Sequence, residues 1–383
     1  MKLIKAAVIS TVGLSLFSIN SAHALGNIEF SGYMSLKGTY TDAKNAAGYT
    51  DPIKYANGFA TDKLDWDTHG NYIGLQANAE LSSELSATIE FQALGGHEKY
   101  AVDMQWAYVG YAINDDLNLR AGRVKGPFYM VSEYQEIGYA YPWIAPPQEV
   151  YVTNPMRHMV GLDMVYNTNV DGIDYLFEIY TSSGKHEATA LPNFVDSSAN
   201  TMGLKKGASI GFQTNNMVGF NATVGTGAVS FRAGYFDTKV DIPSFGKFNE
   251  TGRFGGIGLI VDWRNIVIYS EYINRDTSPG LAAAFPDAIA GYFTLGYRFG
   301  DFLPHVTYSA MDKGKDKSAF ARKQSSVTLG LRYDVGDTSA IKFEASQVTP
   351  DSDPGDIGKY GVFDSPIKGD SANTFAVSLD VIF

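Results

Sequence analysis

The chain contains no cysteine. That absence removes a disulfide framework, a thiolate metal site and a cysteine nucleophile together. Beyond position 25 it also lacks any run of about 18 apolar residues, the length a helix needs to cross a bilayer. Its most apolar stretch, Gly280 to Tyr297, is broken by Pro286, Asp287 and Gly291. Positive charge is in short supply, giving a net charge of −11. Nucleic acid and anionic surfaces are poor partners for such a chain. The histidines after the N-terminal segment (His69, His97, His158, His186 and His305) form no His-x-x-x-His or His-Glu-x-x-His pair, so a zinc site has no support. There is no Gly-Lys phosphate loop. Gly207-Ala208-Ser209-Ile210-Gly211 matches a nucleophile elbow, but it opens an alternating strand rather than a strand-to-helix turn. No cofactor, metal or catalytic set is expected, and the chain does not read as an enzyme.

What the chain has in plenty is glycine (40), tyrosine (24) and phenylalanine (23). Residues 1–24 read as a secretory signal peptide. Lys2 and Lys5 give a basic start, Ala6 to Phe17 an apolar stretch, and Ala22-His23-Ala24 a small-x-small cleavage box. A retained membrane helix is the alternative, but the apolar stretch is short for one. Without Lys2 and Lys5 the charge moves from −11 to about −13. No linker or composition shift divides residues 25–383, so they are expected to form one domain.

Alternation with period two dominates that domain. In the final segment Phe375, Val377, Leu379, Val381 and Phe383 share one parity, while Thr374, Ser378 and Asp380 share the other. This is the signature of a strand with two unlike faces. Asn27 to Tyr40, Asn71 to Leu81 and Leu85 to Leu94 repeat it, and further segments follow to residue 348. Short polar turns such as Asn114-Asp115-Asp116 and Gly336-Asp337-Thr338 alternate with long variable connections at 41–69, 125–157, 183–206, 277–288, 313–323 and 349–372. Short turns on one rim and long loops on the other describe a transmembrane antiparallel β-barrel. A soluble sandwich has no need of the rule. Ala208 to Val224 decides the count. Two strands broken at Asn215-Asn216 give seventeen; one long strand of a single parity gives sixteen and returns both chain ends to the same side. The expectation is sixteen, with the apolar set facing lipid, the polar set facing the lumen, and room for an aqueous channel.

With the ladder, the export signal, the terminal Phe383 and the segment Leu117 to Phe128 (L-N-L-R-A-G-R-V-K-G-P-F) in hand, the chain resembles the general, non-specific trimeric porins of the Gram-negative outer membrane. The likeness covers Leu25 to Phe383. It implies a homotrimer of water-filled pores, a third loop folded into each channel, and Phe383 as a C-terminal assembly signal. The acidic loop-tip motif with paired Phe and Gly is not evident in this chain.

The third loop, Lys125 to Arg157, carries Glu133 and Glu136 among many aromatics. Folded inward, it would set these acids against basic residues of the wall. Parity points Arg120, Arg232, Arg298, Arg332 and Lys342 inward, with Arg123 and Lys125 at the loop's root. Acids facing a basic wall produce a transverse field that tunes ion preference. Inward acids (Glu80, Glu90, Asp163, Glu178, Asp262, Glu271 and Glu344) complicate its sign. Acidic loops offer contacts to divalent cations and lipopolysaccharide. The function expected is passive diffusion of small hydrophilic solutes and ions. The alternatives are a substrate-specific channel for sugars or small anions, and a loop-displaying adhesin or receptor barrel.

Overall fold

The structure is a computed structural model that describes residues 28–48, 53–55, 59–60, 63–66, 70–95, 101–315, 318–354 and 358–383. The signal peptide at 1–24 lies outside the described residues, as do His69 and His97. Its strands are β1 (Ile28–Thr41), β2 (Lys54–Tyr55), β3 (Phe59–Ala60), β4 (Tyr72–Glu80), β5 (Leu85–Leu94), β6 (Ala101–Ala112), β7 (Leu117–Lys125), β8 (His158–Val170) and β9 (Ile173–Thr189). They continue as β10 (Ser209–Gly225), β11 (Val229–Ile242), β12 (Lys247–Trp263), β13 (Ile266–Thr277), β14 (Ala288–Tyr297), β15 (Phe302–Lys313), β16 (Lys323–Val335), β17 (Ser339–Asp351) and β18 (Ala372–Ile382). Sixteen of these close a barrel in chain order, β18 pairing with β1. β2 and β3 form a separate two-stranded sheet inside the first long loop, an addition the alternation did not announce.

The closed ladder leaves no strand edge, the condition for a sheet to sit in hydrocarbon. The apolar parities point outward: Phe30, Leu36, Leu75, Phe91, Val218, Phe220, Leu329, Phe343 and Phe375 are all exposed on the isolated barrel. At the short-turn rim Tyr111, Tyr166, Trp263, Tyr297, Phe299, Phe302, Tyr333 and Phe383 form an exposed aromatic girdle. Within it Tyr297–Phe299 and Phe302–Tyr333 have ring centroids 4.7 Å apart. An apolar band bounded by aromatics is the outer surface of an outer-membrane barrel.

Two expectations need correction. β10 is one strand, as the count of sixteen requires, but it does not keep a single parity. Thr214 pairs with Gly184 and the next pair is Met217 with Ser182, so β10 carries an extra residue. Asn216 takes it up in the left-handed region, at φ 52°, a conformation asparagine tolerates better than most residues. The bulge reverses every side chain beyond it. Val218 and Phe220 face lipid, while Ile210 and Phe212 are buried inside the barrel.

The second correction concerns the lumen. Sixteen strands enclose space for water, but part of this barrel's inward wall is covered rather than open. Inward residues such as Thr294, Ser378, Asp380 and Lys342 are 0–1% exposed. The third loop, residues 126–157 and hereafter L3, is what covers them.

Candidate functional site: the third loop in the lumen

Gly122 lies near the end of β7, before L3 begins at residue 126. This glycine has φ 139°, and a Cβ there would sit 2.4 Å from the carbonyl oxygen of Ala107. Glycine in the Gly122-Arg123 pair is thus dictated by backbone geometry. From there L3 touches the wall on all sides. Phe128 packs on Phe236 with centroids 4.9 Å apart, and Tyr129 meets Phe254 edge-on at 5.3 Å. Ile137 packs with Tyr33, Tyr72 and Ile382 on the opposite side of the barrel. Trp143 Nε1 donates to Thr294 and Thr307, at 3.0 and 3.1 Å. Glu149 accepts from Ser309 and Gln324, both at 2.6 Å. The tip reaches the short-turn rim, where the Tyr139 hydroxyl donates to the Asp337 carbonyl at 2.8 Å.

Two kinds of charge hold the loop. Near its root the contacts join side chain to side chain. Lys125 Nζ lies 3.0 Å from Glu136 and 3.3 Å from Glu90. Arg120 binds Asp163 and Glu178, with Glu133 3.6 Å away. The indole of Trp106 lies under both cations, 5.6 Å from the Arg120 guanidinium and 5.9 Å from Lys125 Nζ. Trp106 faces inward in step with Tyr108 and Gly110, and the register shift between β5 and β6 falls just beyond it, where Glu90 pairs with Trp106 but Phe91 with Met104. Alternation back from outward-facing Tyr111 and Val109 was the available signal.

Elsewhere along L3, from its first residues to its tip, wall side chains grip the loop's backbone. Lys342 Nζ donates to the carbonyls of Gly138 and Trp143, at 2.5 and 2.6 Å, and pairs with Asp380 at 3.1 Å. Arg332 donates to the carbonyls of Tyr139 and Tyr141, at 2.6 and 3.0 Å. Arg232 holds the carbonyls of Pro127 and Tyr129, and Arg275 that of Thr153. The inward acids do the reverse. Glu271 accepts from the Met130 N–H at 2.9 Å, and Glu344 from that of Ile144 at 3.0 Å. A loop rich in peptide groups, buried away from bulk water, needs every such partner.

Arg120, Lys125, Glu133 and Glu136 therefore meet in one cluster. Arg232, Arg332 and Lys342 stand on L3's backbone. Arg298 lies apart at the short-turn rim, paired with Asp262 at 2.9 Å. Arg123 is opposite outward-facing Val160 and pairs with exposed Asp103 at 3.0 Å. Arg275 joins the wall set; its parity, shared with Glu271, was the available signal. Within L3, burial pushes the Glu133 carboxyl up to about 7, with neighbouring Glu178 adding to the rise and Arg120 opposing it. Burial acts the same way on Glu136, but the charges of Lys125 and Arg157 outweigh it and hold that group below its ordinary value.

No family model matches the chain, and no curated protein resembles it in sequence. Solved structures do. The Salmonella typhi OmpF complex with daunomycin aligns at TM-score 0.59 and 16% identity, covering 93% of this chain and 97% of that one. The outer membrane channel DcaP of Acinetobacter baumannii aligns at 0.58 and 13%, again over 93% and 97%. An anion-selective porin from Comamonas acidovorans aligns at 0.57 and 13%, over 93% and 99%. The fold is that of the outer-membrane porins. Identities this low establish the fold alone.

Proposed function

We propose that this barrel is an outer-membrane channel for small hydrophilic solutes and ions in which L3 governs passage. The carrying observation is the ring of contacts that joins L3 to the wall on every side. A loop so placed restricts the path to what threads between its charged groups and the wall. Water-filled passage is accordingly narrow and depends on how firmly L3 is held. Glu133 and Glu136 supply negative charge beside Arg120 and Lys125, and set ion preference. The segment 1–24 is the cleaved export signal, and Phe383 the assembly signal. The chain works as a homotrimer; among its structural neighbours, a Vibrio cholerae outer membrane protein OmpT is described in a trimer form. Acidic surface loops meet lipopolysaccharide.

The test is conductance of the purified barrel in a planar bilayer, with reversal potential under a salt gradient. Small steps in groups of three are expected, with Glu133→Gln and Glu136→Gln shifting preference toward anions. Absence of that shift would take the two acids out of the permeation path. A silent bilayer with folded protein would favour the receptor barrel. A second reading, a substrate-specific channel, draws on the aromatics lining the lumen: Tyr129 stacks on Tyr151 at 4.5 Å and Trp143 meets Tyr292 at 5.4 Å. Saturable current block by one solute class would select it.

A further inference from the structure

Above L3, toward the long loops, the inward face changes character. One cross-strand row runs Phe236, Phe254, Arg275, Ala288, Lys313 through successive strand pairs. Its first half is aromatic and its second half cationic. A pocket opens beside the aromatic half, lined by Met156, Phe212, Phe236, Phe254, Leu281 and Phe285, with Asn154 and Arg275 at its polar side. Phe212 reaches it only because of the β10 bulge.

The polar side holds unused donors. Asn154 is 8% exposed and its Nδ2 has no partner among the described residues. Its orientation is fixed, because Oδ1 accepts from the Met156 N–H at 3.0 Å. Arg275 donates to the carbonyls of Pro286 and Thr153, and among the described residues no carboxylate pairs with it. The neighbouring acid Asp287 has Oδ1 occupied by the N–H and hydroxyl of Thr277, at 2.8 and 3.1 Å. Arg322, near Arg275 but outside the pocket lining, lies just before β16, two residues ahead of Gln324, and its buried Nε has no partner among the described residues. Burial and the neighbouring charge of Arg275 push that guanidinium down to about 10. Lys313, by contrast, is neutralised by Asp353 at 3.3 Å.

An aromatic pocket, an orphaned buried amide donor and two guanidiniums without a carboxylate lack one thing, an apolar anion. We propose that this pocket binds a small monocarboxylate with an apolar body of a few carbons. The body lies among Phe212, Phe236, Phe254 and Phe285, and the carboxylate accepts from Asn154 Nδ2 in the field of Arg275 and Arg322. Buried polar donors left unpaired in the free site are what give such a site its preference for an acceptor-bearing ligand. That the bound carboxylate is cargo rests on the channel reading; the binding itself does not.

The experiment is ¹⁹F NMR titration of 4,4,4-trifluorobutyrate into the barrel in lipid nanodiscs, with 4,4,4-trifluorobutanol as the neutral control. Saturable binding of the acid, at least about tenfold tighter than the alcohol, is expected. Asn154→Asp keeps the acceptor that holds Met156 but replaces the donor with a negative charge, and is expected to weaken the acid about tenfold or more while sparing the alcohol. Arg322→Gln, in a loop with few partners, is expected to cost a few-fold. Equal affinity for acid and alcohol, or an acid affinity unchanged in a folded Asn154→Asp barrel, overturns the proposal. Binding that persists in a barrel that conducts nothing upholds the site and removes the channel reading.

Discussion

The root and the tip of L3 are held by different chemistry. At the root, acidic side chains of the loop meet basic side chains of the wall: Glu136 with Lys125, and Glu133 beside Arg120. At the tip the loop contributes backbone groups and aromatic side chains but no carboxylate or ammonium, and the wall supplies the charge through Lys342, Arg332 and Glu344. The root's grip is titratable from both partners. The tip's grip has no carboxylate or amine on the loop side, so its charge comes from the wall. On the proposed reading, the root is where pH and selectivity would act, and the tip is where the loop is fixed in place.

The largest effect should come from breaking the tip. Lys342→Met leaves Asp380 buried without its cation and two L3 carbonyls without a donor. A buried pair broken on one side costs roughly 3–5 kcal/mol, read as a lower midpoint of thermal unfolding with raised conductance. Gly138→Val strikes the same place sterically. A Cβ at Gly138 would lie 2.1 Å from Asp380 Oδ1, so the tip must lift. Overpacking of this kind costs about 1–3 kcal/mol, and the conductance step should grow with the wall's charges intact.

The root gives a pH effect instead. Glu133 stands at about 7 against an ordinary 4.5. A carboxyl raised in the folded state contributes docking stability that is complete below its ordinary value and lost as pH rises toward 7. Cation preference and conductance should therefore both increase as pH rises through 7. Glu133→Gln should abolish that step, and its survival would place the titrating group elsewhere. The smallest effect is expected at Arg298 and Arg123. Their pairs with Asp262 and Asp103 are partly exposed, so conversion to Gln should change stability by less than about 1 kcal/mol and leave selectivity unmoved.

The same contrast explains what could be read from the sequence. Strand number, the outward parities and the inward loop follow from alternation and turn length, because lipid enforces them residue by residue. The root was legible as Glu133 and Glu136 opposite basic residues, because both partners carry charge. The tip was not, because a backbone carbonyl has no letter of its own; Lys342 and Arg332 looked like pore-lining charges and stand on Gly138, Tyr139, Tyr141 and Trp143. A bulge hid part of the remainder. One extra residue in β10 turned Phe212 inward. It leaves no trace in a parity count except as a broken pattern, and at Asn215-Asn216 that break had two readings.

The most direct test is single-channel conductance in planar bilayers of the native barrel beside a Lys342→Met/Arg332→Met double variant, both shown to be folded by heat-shifted electrophoretic mobility. If L3 is a plug fixed at its tip, the native barrel conducts in small steps and the variant in distinctly larger ones. Equal steps from the two would contradict it, and large steps from the native barrel would show that L3 does not fill the lumen.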